Sequence, residues 1–143
     1  MGAILARAFS LVELLIVIII VSLLAAIAIP RVSNSSVRAR ETALRRDLRI
    51  IREAIDRFSC DTDLYPTSLN GLVLGSPPAQ GRNGSGNLKA LDASKWSGPY
   101  ADGTLIDPVS KVGFSYKITP PKVGSVKSSA VGNASDGTPY SSW

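Results

Sequence analysis

The sequence predicts an α+β protein in which a long N-terminal α-helix, apolar in its first half and amphipathic in its second, packs on a small antiparallel β-sheet. Three observations carry this. Residues 9–30 (FSLVELLIVIIIVSLLAAIAIP) are almost entirely apolar. A stripe of Leu44, Leu48, Ile51, Ile55 and Phe58 then steps by four, three, four and three residues. Beyond Pro66, short β-like runs alternate with Gly, Pro, Asn and Asp turn residues. With 143 residues, the chain has room for one domain of about 100 residues beyond the apolar stretch.

The apolar stretch comes first. Between residues 14 and 29 only Ser22 is polar, and extension back to Phe9 adds only Ser10 and Glu13. About 21 helical residues at ~1.5 Å each cover roughly 30 Å, the thickness of a bilayer's hydrocarbon core. The segment is expected to span a membrane. A carboxylate inside that layer costs about 2.5–3.5 kcal/mol even on mild insertion scales, so Glu13 is a functional candidate that needs a partner. The bland alternative is a lone acid that reaches the membrane edge. Pro30 lacks an N–H and its ring collides with the carbonyl of Ala26, so the helix is expected to kink or stop there. Residues 31–36 (RVSNSS) are poor helix formers and predict a joint.

Helical periodicity returns from about residue 36, and the Leu44 to Phe58 stripe is the expected buried face of a helix over residues 36–60. Glu41 with Arg45, and Glu53 with Arg57, are spaced for i,i+4 ion pairs in the favourable order. Residues 61–63 (DTD) and Pro66 are turn chemistry that ends the helix. Residues 75–87 (GSPPAQGRNGSGN) are expected to be loop, with a turn at Asn83-Gly84. Strands are expected at residues 104–106, 113–118 and 123–126, with Phe114 and Tyr116 on one face and Ser115 and Lys117 on the other. The sheet would cover the helical stripe, because each needs an apolar partner. Tyr140 and Trp143 are expected to pin the Ser/Gly-rich tail to its own domain.

Net charge is +5, unevenly distributed. Residues 31–57 hold eight Arg against Glu41, Asp47, Glu53 and Asp56, whereas the rest of the chain beyond them is nearly neutral. Anionic headgroups or nucleic acid would suit such a cluster, but helical charge runs are usually solvated faces, and a nucleic-acid partner is not the favoured expectation. Cys60 is the only cysteine, which excludes an intrachain disulfide, and the absence of histidine removes the usual Ser-His and Cys-His nucleophiles. No acid, base and nucleophile constellation points to an enzyme.

The run Arg7-Ala8-Phe9-Ser10-Leu11-Val12-Glu13-Leu14-Leu15-Ile16-Val17, with Ala25-Ala26-Ile27-Ala28-Ile29-Pro30, closely resembles the N-terminus of type IV prepilins and the related pseudopilins. The resemblance implies a leader over residues 1–8, cut between Ala8 and Phe9, and methylation of the new α-amine of Phe9. The family usually has Gly before the cut, where this chain has Ala8. It also implies a role for Glu13, which would attract the Phe9 amine of a neighbouring subunit during assembly. Two charges in low dielectric neutralise each other only when close and well oriented, so such a pair would set register. The Leu, Ile and Val surface around it would supply most of the cohesion. The fold implied is pilin-like, with the helix of residues 9–30 as membrane anchor and filament core and residues 31–143 as head. Implied partners are further copies of the chain, a prepilin peptidase, an inner-membrane assembly platform with its ATPase, and an outer-membrane channel. The implied location is the inner membrane as a single-pass precursor, then a periplasmic or extracellular filament.

A scattered likeness covers the C-terminal part. The segments DLYPTSLNGL (63–72), WSGPY (96–100), IDP (106–108), SDG (135–137) and Trp143 are similar in order to the major pseudopilin of type II secretion. That likeness implies a calcium site in the last loop. Asp136 is the candidate, but it is the only acid after Asp107, and calcium takes six to eight oxygens with carboxylates among them.

Charge distribution points to alternatives. Arg31, Arg38, Arg40, Arg45, Arg46 and Arg49 follow the apolar segment and only Arg7 precedes it, so the positive-inside rule would place the head in the cytoplasm on a single-span anchor. A DNA-binding minor pilin would use the same arginines, and a secretory signal cut after Ala28 would release the domain.

Overall fold

The computed structural model describes residues 10–103 and 105–143, with backbone alone for residues 27–34. The first element is helix α1, Leu11–Thr62. It passes through Pro30 and through residues 31–36, so the expected stop and joint are corrected. Pro30 costs about 3 kcal/mol in a helix interior and each other poor helix former only about 0.5 kcal/mol, while propagation from strong helical sequence on both sides is cooperative. The chain divides into two compact units, Met1–Val37 and Arg38–Trp143.

In the second unit the predicted stripe is the core. Leu44, Leu48, Ile51, Ala54, Ile55 and Phe58 are all buried, and they cluster with Leu64, Leu69, Leu72, Phe114, Val126 and Tyr140 from later segments. Each large side chain moved out of water contributes roughly 1.5–3 kcal/mol. The same helical face continues one step beyond the stripe at both ends, to Glu41 and Thr62, which are buried as well. The helix ends two residues later than expected. Thr62 Oγ1 donates to Phe58 O at 2.7 Å, and Asp63 turns the chain with φ of 59°, its N–H donating to Ser59 O at 2.9 Å. Asp tolerates this left-handed conformation better than most residues.

The sheet is smaller and more divided than expected. Strands β1 (Gln80–Arg82) and β2 (Leu88–Ala90) form one antiparallel pair, and β3 (Ser115–Tyr116) and β4 (Val126–Lys127) form another. The first hairpin corrects the expectation of loop over residues 75–87. The Asn83-Gly84 signal sits in its turn, where Asn83 Oδ1 accepts from Ser85 N at 3.1 Å and Asn87 N at 2.9 Å. Its short flanks lack the apolar alternation that marks a strand in sequence, since all of β2 is exposed. The second pair keeps the predicted facing: Phe114 is buried and Tyr116 half-buried, whereas Ser115 and Lys117 are exposed. Ile106 meets Gly113 only through an isolated bridge, and Thr104 lies outside the described residues.

Neither predicted helical ion pair forms. Glu53 accepts from Arg49 Nε at 3.0 Å instead of from Arg57, and Glu41 and Arg45 both turn to the C-terminal loop. An exposed i,i+4 pair yields only about 0.3–0.5 kcal/mol, so a buried set of donors outcompetes it.

Candidate functional site

Residues 14–21 present a continuous apolar surface. Leu14, Leu15, Ile16, Val17, Ile18, Ile19 and Ile20 are consecutive in sequence and therefore surround the helix, each about half exposed. Ser22, the polar exception, turns its hydroxyl inward and donates to Ile18 O at 2.6 Å. Glu13 lies in the first turn of α1, exposed, at the end where the helix dipole favours a negative charge. Among the described residues no helix is long and apolar enough to cross a membrane. The described apolar side chains run from Leu11 to Ala26, and the span expected over residues 9–30 extends past them at both ends. Ala8 and Phe9, the expected cleavage and methylation positions, lie outside the described residues, as does the side chain of Pro30.

The second constellation lies within the head. From α1, buried Glu41 accepts through Oε1 from Ser135 N at 2.8 Å and from Tyr140 Oη at 2.9 Å, and through Oε2 from Ser135 Oγ. The Ser135 hydroxyl is the main reason that the Glu41 carboxyl is held below its ordinary range, against the opposing effect of burial. Burial and then the facing Glu41 charge push the Tyr140 phenol up. One turn along the helix, Arg45 donates to Asp136 Oδ2 at 2.5 Å, and its guanidinium lies 4.0 Å from the ring centre of Trp143. Asp136 Oδ1 accepts from Thr138 N at 2.9 Å and from Thr138 Oγ1 at 2.6 Å. Tyr140 and Trp143 meet edge to face at 5.3 Å, so the expectation that they pin the tail is met.

Tested against calcium, these residues do not fit. Both oxygens of Asp136 are engaged, one of them by a cation, and among the described residues no three acidic, Cys or His side chains gather as a metal would need. A divalent ion beside the Arg45 guanidinium would be repelled.

A third constellation was not expected from the sequence, where Asp107-Pro108 reads as a turn. Asp107 is fully buried. Its Oδ1 accepts from Val109 N at 2.8 Å and Ser110 N at 3.1 Å, and its Oδ2 from Ser128 Oγ at 2.6 Å and Ser129 N at 3.1 Å. Burial pushes its carboxyl up, but the four donors together outweigh that and hold it below the usual carboxylate range. Asp107 thereby ties the segment before β3 to the one after β4.

Several of the arginines are drawn into the head's own structure. Besides Arg45 and Arg49, Arg52 donates to Val126 O at 3.2 Å. Glu41 had a legible signal, because it lies three residues before Leu44 on the face that the periodicity assigns to the core. An acid on a buried face implies waiting donors, the logic that singles out Glu13.

Residues 5–29 match the family of the prokaryotic N-terminal methylation motif. Type II secretion system core protein G of Pseudomonas aeruginosa is 32% identical over 98 residues, covering 64% of this chain and 69% of that protein. Its counterpart in Escherichia coli K12 is 30% identical over 108 residues, covering 71% and 72%, and that of Klebsiella pneumoniae is 29% identical over 100 residues, covering 66% and 71%. No solved structure gives a significant match. With the methylation motif spanning the apolar start of α1, and this coverage of the relatives, the chain belongs to the family of type II secretion system core protein G.

Proposed function

We propose that this chain is the structural subunit of a type II secretion pseudopilus, a filament built after prepilin processing. The observation that carries the proposal is the methylation motif over residues 5–29 on a helix whose described apolar side chains, from Leu11 to Leu24, are about half exposed or more. Such a surface demands an apolar environment, first lipid and then neighbouring helices. In this scheme a prepilin peptidase cuts between Ala8 and Phe9, and Phe9 is methylated on its new amine, which keeps its charge. Glu13 then attracts the amine of the adjacent subunit and sets the register, with Pro30 bending the helix where the membrane part ends. The precursor sits in the inner membrane with its head in the periplasm. An assembly platform and its ATPase draw it into an array whose heterologous contacts repeat without closing. The role is assembly rather than turnover.

The test is the intact mass and N-terminal sequence of the protein recovered from its own cells. A chain that starts at Phe9 with one added methyl group is expected. A chain that starts at Met1 or Gly2 would overturn the proposal in favour of a cytoplasmic anchor, and a start at Ile29 would mean an ordinary secreted domain.

A further inference from the structure

The loop over residues 132–143 is folded on itself before it meets the helix. Ala134 N donates to Thr138 O at 2.8 Å, Gly137 N to Ala134 O at 2.9 Å and Tyr140 N to Gly132 O at 3.1 Å. Trp143 Nε1 donates to Thr138 Oγ1 at 2.9 Å, which closes the far end. Gly137 has φ of 84°, the left-handed conformation that glycine takes without strain.

Two helical side chains complete this loop, and their chemistry is complementary to it. The loop offers three donors, the N–H and O–H of Ser135 and the O–H of Tyr140, and all three point at the Glu41 carboxylate. It also offers one anion and one aromatic face, Asp136 and Trp143, and both meet the Arg45 guanidinium. Glu41 and Arg45 are four residues apart on one face of α1, spaced for pairing with each other, yet each is spent on the loop. We infer that Glu41 and Arg45 form a clasp that holds the C-terminal loop against α1 without a metal ion, with the Arg45 guanidinium as the cation that neutralises Asp136. Calcium, which the pseudopilin resemblance implies for this loop, has no vacant carboxylate to take here. The head's final fold is accordingly independent of calcium.

Hydrogen–deuterium exchange of the full-length protein in detergent micelles tests this, read separately on residues 132–143 and on the helical stripe of residues 44–58. Wild-type exchange in the loop is expected to be the same, within about twofold, in EGTA and in about 10 mM calcium, a concentration well above the ~1 mM of the weakest ordinary calcium sites. Arg45→Met, which keeps a long apolar side chain beside Trp143 but removes the cation, is expected to speed loop exchange by about fivefold, the order of an exposed ion pair plus a cation–π contact, while the stripe stays protected. Arg45→Lys should fall between the two. A loop whose exchange slows about tenfold with calcium in the wild type would overturn the inference, as would an Arg45→Met loop exchanging at the wild-type rate. The wild-type comparison decides the calcium question even should a variant fail to fold.

Discussion

Replacing Asp107 by Asn changes one heavy atom in a fully buried side chain, and the cost is set by the four hydrogen bonds that the carboxylate accepts. Two of them reach Oδ1 and two reach Oδ2. An amide keeps one accepting oxygen and turns an NH₂ toward the other pair, so either Val109 N and Ser110 N or the Ser128 and Ser129 donors face a second donor. Each buried group left unsatisfied costs about 1–3 kcal/mol, and the two bonds retained lose their charge assistance. The sum is a loss of about 3–5 kcal/mol, at the upper end for single substitutions. For a domain of about 100 residues, 1 kcal/mol moves the melting temperature by roughly 4–8 °C, so a fall of at least ~12 °C is expected. The assay is thermal unfolding of the full-length protein in detergent, monitored by near-ultraviolet circular dichroism of the head's aromatic residues. A fall below about 4 °C would mean that less than ~1 kcal/mol was lost and would refute the view of Asp107 as the tie across β3 and β4.

Other substitutions test the core, the turns and the assembly scheme. Phe58→Ala empties a fully buried site that meets Tyr100 edge to face at 5.4 Å, and should cost about 3–5 kcal/mol in denaturant unfolding. Gly81→Ala puts a Cβ 2.7 Å from Leu64 Cβ, and a loss of about 1–3 kcal/mol by the same assay is expected where an open glycine such as Gly75 should tolerate the change. Asp107 and Glu41 are both held below their ordinary ranges, so their stabilisation is present above the unfolded values of about 4 and is lost as pH falls through the lower folded ones. Melting temperature across pH 2–8 should be level above about pH 5 and fall below about pH 4, with the fall reduced in Asp107→Asn. Glu13→Gln keeps size and removes charge; filaments should fail to form in a pelleting assay while the head unfolds at the wild-type temperature. Unimpaired filaments would remove Glu13 from the assembly scheme.

Legibility in the sequence tracked the range of the interactions. The stripe from Leu44 to Phe58 was readable because helical periodicity is local, and every member of it proved buried. The facing of Phe114 against Ser115 was readable for the same reason, and the Asn83-Gly84 turn because Asn bonds to its own neighbours. The hairpin around that turn was not readable, since its strands are three residues long and largely exposed and carry no apolar pattern. The second half of α1 began earlier than expected, because continuation across Pro30 and residues 31–36 depends on the helices on either side rather than on those residues themselves.

The sequence by itself carried the resemblance to prepilins and the apolar character of the N-terminal segment, because a short motif and an apolar run announce themselves within some 25 consecutive residues. It also determined which face of the second helical half is core. Only the tertiary structure decided what the charged residues do. Glu41 is 94 residues from Ser135 and Arg45 is 91 from Asp136, so no local pattern connects them. Asp107 looked like a turn residue until residues 128 and 129 were brought to its second oxygen. Apolar burial is non-directional and can be read from composition and period, whereas a buried charge is defined by the few atoms that the whole fold places around it.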